Sequence, residues 1–186
     1  MKTLFSKLFI SLSFVLLLTA CATLKNNNTS KPIVIEASID LVNINDDKVQ
    51  ITIAPTAIQG EEILFYLPQI VPGTYEYSNF GRFVEDLKAF DKKGNPLTVT
   101  TVDENSWKIA SAKKLGKIIY WVNDTFDGPG GEKIYPMGGT NFDSDKTHLL
   151  NLHSMIGYFD NIKESPYRLS VRSPKNLQAF TSLPAI

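Results

Sequence analysis

LPQIVPGTYEYSNFGRFVEDLKAFDKKGNPL, residues Leu67 to Leu97, is the stretch from which the fold is read. It forms one irregular connection between strands. Pro68 ends the preceding strand because it has no N–H to give a ladder. Pro72-Gly73 suits the centre of a type II turn: proline fixes φ near −65° and glycine supplies the positive φ that follows. Tyr75, Tyr77 and Phe80 then crowd three aromatics into a short segment without period. Such density means either a packed plug or an exposed recognition surface. Arg82 either fixes the loop by donating to carbonyls or meets an anionic group. Pro72, Gly73, Tyr75, Tyr77, Phe80 and Arg82 are therefore the candidate docking or recognition loop, and a structural cover over one end of the domain is the plainer reading.

Downstream in the same stretch, Phe83, Val84, Leu87 and Phe90 fit an amphipathic helix as well as a strand. The Asp91-Lys92-Lys93-Gly94-Asn95-Pro96 segment that follows is hairpin chemistry, with Gly94 free to take φ > 0. A strand is expected. Further out, period-2 alternation dominates. Ile33, Ile35, Ala37, Ile39 and Leu41 share one face against Glu36, Ser38 and Asp40. Asn45-Asp46-Asp47 turns the chain into Val49, Ile51 and Ile53, which predicts an opening hairpin. Ile63, Phe65 and Leu67 predict a third strand. Val99 to Val102, Trp107 to Ala110, Leu149 to Leu152, Tyr167 to Val171 and Leu177 to Thr181 predict more. Ile118 to Val122, apolar on both sides, reads as a central strand covered on both faces. The expected fold is all-β, an antiparallel β-sandwich of roughly nine or ten strands.

The amino terminus has a different logic. Lys2 and Lys7 precede an uncharged apolar run, Leu8 to Leu18, shorter than the ~20 residues of a membrane-spanning helix. Leu18-Thr19-Ala20-Cys21 resembles the lipobox of bacterial lipoproteins. Residues 1–20 are thus expected to be a lipoprotein signal peptide, Cys21 the lipid attachment point, 21–31 the lipidated cysteine and a polar tether, and 32–186 the sandwich. Cys21 is the only cysteine, so no internal disulfide is possible. Ala22 carries no acidic retention signal, which by resemblance favours an outer-membrane lipoprotein facing the periplasm of a bacterial envelope.

Removing Lys2 and Lys7 from 19 basic residues leaves 17 against 19 acidic ones. No basic stripe is available to neutralise phosphates, which argues against a nucleic-acid partner. The remaining ~150 residues bury one sizeable core, hence one domain.

Pro72-Gly73-Thr74-Tyr75, Phe80-Gly81-Arg82-Phe83-Val84, Asp91 to Pro96 and Trp107 together resemble the amino-terminal domain of the glycyl aminopeptidase family, PDZ-containing zinc metallopeptidases. The family wording is P-G-S-Y, F-A-R, D-x-x-G-x-P and a later tryptophan. Thr74 for Ser and Gly81 for Ala are mild departures. The strand of Tyr120, the Gly-rich loop and Thr147 to Phe159 are similar in order and spacing, so the resemblance covers most of residues 33–183. It implies a β-sandwich that precedes a thermolysin-like zinc domain and a PDZ domain. No H-E-x-x-H occurs in the sequence, so no catalytic or metal-binding residue is carried over: the cofactor, zinc, is expected only in the catalytic domain. The expected role is a lipid-anchored, non-catalytic sandwich, a truncated or split form of such a peptidase, partnered by the membrane through its lipid and by a peptidase catalytic domain or chain. The alternative is a freestanding envelope lipoprotein that binds peptide or glycan through the aromatic loop.

The remaining candidates are weaker. His148 and His153 are the only histidines. On one strand their odd separation puts them on opposite faces, ~16 Å apart, too far to share a zinc ion that needs each nitrogen at ~2.1 Å. Asp124, Asp127, Asp143 and Asp145 bracket a loop rich in glycine, but not at EF-hand spacing, so a solvated, flexible loop is expected. No Gly-x-Ser-x-Gly elbow accompanies the serines, and nucleophilic catalysis has no support.

Overall fold

A computed structural model describes residues 32–127, 134–143 and 147–185. The expected signal peptide, Cys21 and the expected tether lie outside these residues, as does Asp145. Twelve strands are present among the described residues: β1 (Ile35–Asn45), β2 (Lys48–Pro55), β3 (Glu62–Tyr66), β4 (Val84–Asp91), β5 (Pro96–Leu97), β6 (Val99–Asp103), β7 (Ser106–Ala110), β8 (Leu115–Asn123), β9 (Asn141–Asp143), β10 (Thr147–Leu149), β11 (Tyr158–Phe159) and β12 (Tyr167–Arg172). One sheet has the order β12-β1-β2-β8-β4-β5, a second β11-β3-β7-β6, and β9 pairs with β10.

The alternation read from the sequence sets which face each strand buries. Ile35, Ala37, Ile39 and Leu41 of β1 and Val49, Ile51 and Ile53 of β2 point into the core with Ile118, Tyr120 and Val122 of β8. Ile63 and Phe65 of β3 and Trp107 and Ile109 of β7 meet them from the other sheet. The Phe65 ring lies 5.8 Å from Tyr120, 6.4 Å from Trp107 and 5.2 Å from Phe159. Tilted contacts at these distances add to the hydrophobic burial that holds two sheets together. Tyr120 carries a polar atom into that core and satisfies it there: its hydroxyl donates to the Met155 carbonyl at 2.8 Å and accepts from the Gly157 N–H at 3.3 Å.

Four sequence expectations change. Among the described residues every strand pairing is antiparallel except one: β12 runs parallel to β1, Ile35 opposite Tyr167 through Asp40 opposite Arg172. The last strand joins the free edge of the first after a long crossover, which a parallel pair requires. β8 is central, between β2 and β4, but Ile119 and Trp121 on its outer face are only half-buried. That face is lined by Gln50 and Thr52 on one side and Glu85 and Lys88 on the other, so it is not a second core. Residues 177–181 form no strand, and Phe180 is exposed; alternation alone cannot supply a partner. After Leu149 the chain leaves β10, and Leu152–Ser154 forms a short 3-10 turn.

The ambiguous Phe83-to-Phe90 segment is strand, entered through a 3-10 turn at Phe80–Phe83. Asp91 closes the β4–β5 turn by accepting from the Lys93 and Asn95 N–H groups at 2.8 Å each, with Gly94 at φ 89°. Strand directions sort the loops into two ends. The chain enters β1 at one end, beside the β4–β5 turn and residues 111–116. The Asp46-Asp47 turn, residues 67–83, the Asp103-Glu104 turn and residues 124–127 lie at the other.

Candidate functional site

Leu67 leaves β3 with its N–H bonded to the Asn105 carbonyl at 2.9 Å, and the chain folds back on itself at once. Asn79 donates to the Gln69 carbonyl at 3.0 Å and Phe80 to that of Pro68 at 3.1 Å, while Ile70 and Tyr77 form an isolated antiparallel bridge. At the tip the Thr74 N–H bonds the Val71 carbonyl at 3.2 Å around Pro72-Gly73, with Gly73 at φ 94°. This is the type II turn expected from the sequence. The Thr74 hydroxyl donates to the same carbonyl at 2.7 Å. The loop is therefore internally fixed, although it projects from the sandwich.

The three aromatics separate. Phe80 is fully buried, 5.6 Å ring to ring from His153, and is the plug. Tyr75 is 95% exposed and Tyr77 69% exposed. Tyr75 also sits at φ 57°, a left-handed conformation that costs a bulky residue about 1–2 kcal/mol. Arg82 stays with the frame: its guanidinium lies 4.8 Å above the Phe83 ring. Asn105, unremarked in the sequence, ties the base together. Its Oδ1 accepts the Gly81 N–H at 3.0 Å and its Nδ2 donates to Asn79 Oδ1 at 3.1 Å.

A second loop abuts the first. A Cβ on Gly138 would stand 3.6 Å from Thr74 Cγ2. The turn from Tyr135 to Gly139 is closed by the Gly138 N–H on the Tyr135 carbonyl at 2.8 Å. His153 Nε2 bonds the Gly138 carbonyl at 2.8 Å, and Asn151 Nδ2 donates to the Met137 carbonyl at 3.2 Å. Tyr135 and Met137 are exposed on this turn, and Ile70 on the first loop. Ile70, Tyr75, Tyr77, Tyr135 and Met137 thus form an apolar platform on two fixed loops. The sequence reading found only its first half. Tyr135-Pro136-Met137-Gly138-Gly139 carries the turn signal for the second half, but nothing in the sequence places it beside Thr74.

Asp124 is not the solvated loop acid expected. It is 2% exposed and accepts the Phe126 and Phe142 N–H groups at 2.6 Å each. Burial raises its pKa above the ordinary aspartate value, those two N–H bonds oppose the rise, and the Asp127 charge adds to it. Thr125 and Thr140 complete the clamp: the Thr140 N–H donates to Thr125 Oγ1 at 2.7 Å and the Thr125 N–H to the Thr140 carbonyl at 3.1 Å.

Among the described residues no group of three or more His, Cys, Asp or Glu could hold a metal. His148 lies in β10, and His153 lies in a 3-10 turn with its Nε2 on a carbonyl. The two histidines are therefore not on one strand.

The family profile of the peptidase M61 N-terminal domain matches residues 36–186. No curated protein matches the chain. Among solved structures, the crystal structure of an aminopeptidase N family protein from Idiomarina loihiensis superposes with a TM-score of 0.59 at 18% identity, over 76% of this chain and 22% of that one. At that identity the likeness is one of fold, and this chain spans less than a quarter of that neighbour. The family match runs from β1 beyond β12 and so takes in both loops of the platform; the chain belongs to the peptidase M61 N-terminal domain family.

Proposed function

We propose that this chain is the lipid-anchored, non-catalytic sandwich of an envelope metallopeptidase, and that its two-loop platform docks the zinc catalytic domain. That domain is supplied by coding sequence beyond Ile186 or by a separate chain, which is the truncated or split arrangement. The observation that carries the docking role is Tyr75. Its side chain is almost wholly exposed, its backbone is strained, and the loop that holds it is hydrogen-bonded on either side of it. Strain persists where surrounding structure over-determines it, and such positions cluster at working sites. The anchor reading rests on Lys2, Lys7, the apolar run and Leu18-Thr19-Ala20-Cys21; Cys21→Ser should release the protein from the membrane fraction.

Reading the DNA downstream of Ile186 tests the partner: an in-frame or frameshifted H-E-x-x-H is expected, and an unrelated gene counts against it. With the catalytic domain in hand, Tyr75→Ala and Tyr77→Ala should each weaken its binding about tenfold, one exposed aromatic anchor being worth 1–2 kcal/mol. Stoichiometric zinc and release of amino-terminal glycine by the purified chain would sink the non-catalytic reading. The three exposed tyrosines also suit stacking on peptide or glycan. That second reading predicts ligand affinity without any partner domain, lost on Tyr75→Ala or Tyr77→Ala.

A further inference from the structure

The two ends of the sandwich carry opposite charge. Asp46, Asp47, Glu76, Asp103, Glu104 and Asp127 are all exposed at the platform end. These loops are contiguous: the Asp124 N–H meets the Asp47 carbonyl at 2.9 Å, and Gly81 packs on Glu104 and Asn105. The described cations of that end are engaged: Lys48 is bonded to Glu85 at 3.0 Å, and Arg82 is placed over Phe83. At the opposite end, Lys92 and Lys93 on the β4–β5 turn abut Lys113 and Lys114 on the turn before β8, with Lys117 just beyond. A Cβ on Gly116 would stand 2.8 Å from the Lys92 nitrogen, so the two turns touch. All five lysines are exposed, against Glu61, bonded to Lys113 at 2.6 Å, Glu62, paired with Lys108 at 3.6 Å, and Asp91 within its own turn. Asp160 and Glu164 share that end with Lys163, which pairs with Asp160 at 3.0 Å.

The chain enters β1 at the lysine end. If Cys21 is acylated, the link to Pro32 reaches ~36 Å when extended. Ten steps along β1 span roughly 33 Å. The anchor alone therefore leaves orientation open, and charge decides it. We propose that the lysine corner is a docking face for anionic lipid headgroups, which turns the tyrosine platform away from the bilayer and toward a protein partner. Each lysine at an anionic surface is worth about 1 kcal/mol, roughly fivefold in partition. The six acids at the far end are repelled by the same field. Tyrosines on their own are at home in a membrane interface; here the acidic rim denies them that place.

The inference rests on the lipoprotein reading, and one experiment separates the two. Lipidated protein is reconstituted with a donor dye on a cysteine at Gln59→Cys, at the lysine end, or at Gln69→Cys, on the platform. Acylation blocks Cys21, so each variant has one labelling site. On vesicles with about 30% phosphatidylglycerol and acceptor-labelled headgroups, transfer from residue 59 should exceed that from residue 69 by about twofold or more. The difference should vanish in neutral vesicles, in about 1 M salt where the screening length is ~3 Å, and in the variant Lys92→Glu/Lys93→Glu/Lys114→Glu. All these samples still float with the vesicles. Equal transfer from both positions on anionic vesicles, or greater transfer from residue 69, overturns the inference while leaving the anchor intact. Failure to float on neutral vesicles removes the lipid anchor instead. The inference then stands or falls on whether the unanchored chain floats with anionic vesicles and loses that on triple reversal.

Discussion

Gly81 and Asn105 are locked together: the Gly81 N–H donates to Asn105 Oδ1 at 3.0 Å, and a Cβ on residue 81 would stand 2.6 Å from Asn105 Cα, closer still to the Glu104 carbonyl oxygen. The F-A-R wording of the family made glycine here a mild departure. In this chain the Asp103-Glu104 turn and Asn105 occupy the space that a methyl group would fill. Gly81→Ala should therefore destabilise by about 3 kcal/mol, the upper range for overpacking. Gly73→Ala, at φ 94° with nothing within 4 Å, should cost only conformational strain, about 1 kcal/mol. Urea unfolding of both variants checks the order.

Tyr75 offers stability against docking. Asparagine tolerates the left-handed region far better than tyrosine, and no packing is lost at a side chain this exposed. Tyr75→Asn should raise the stability of the chain by about 1 kcal/mol and yet weaken binding of the catalytic domain. Equal stability and unchanged binding would remove Tyr75 from the site.

Phe80 and Tyr77 should behave as opposites despite lying three residues apart. Phe80→Ala empties a fully buried position against His153 and should cost about 3–5 kcal/mol. Tyr77→Ala, on the exposed side, should stay within about 0.5 kcal/mol of the parent. Thermal or urea denaturation separates the plug from the platform.

Two carboxylates should tilt acid stability in opposite senses. The Asn123 hydrogen bond, then the Lys48 ammonium, hold Glu85 below the ordinary glutamate range. Its contribution is whole above that range and is lost as pH falls through the depressed folded value. Asp124 is raised by burial, so its folded form takes up a proton before the unfolded one does, and its contribution grows as pH falls between the ordinary value of 3.8 and the raised one. Glu85→Gln should flatten the loss of stability below about pH 4.5, and Asp124→Asn should steepen it. Urea midpoints measured from about pH 3 to 6 read both slopes.

Alternation in Ile35 to Leu41, Val49 to Ile53 and Ile118 to Val122, and the turn chemistry of Pro72-Gly73 and Asp91 to Pro96, determined the fold class, the hairpins and the family. Those signals are local: a period of two and a backbone that only proline or glycine adopts are written residue by residue. The tertiary structure alone decided which aromatic is plug and which is platform. Phe80, Tyr75 and Tyr77 are alike in sequence, and burial depends on what arrives from elsewhere, here His153 on one and solvent on the others. It also placed the turn carrying Tyr135 and Met137 against Thr74, set β12 parallel to β1, made Asp124 a buried clamp, and gathered acids from four turns at one end and lysines from two turns at the other. Each of these joins segments tens of residues apart, and no local pattern encodes a meeting whose geometry is fixed only when the two sheets pack.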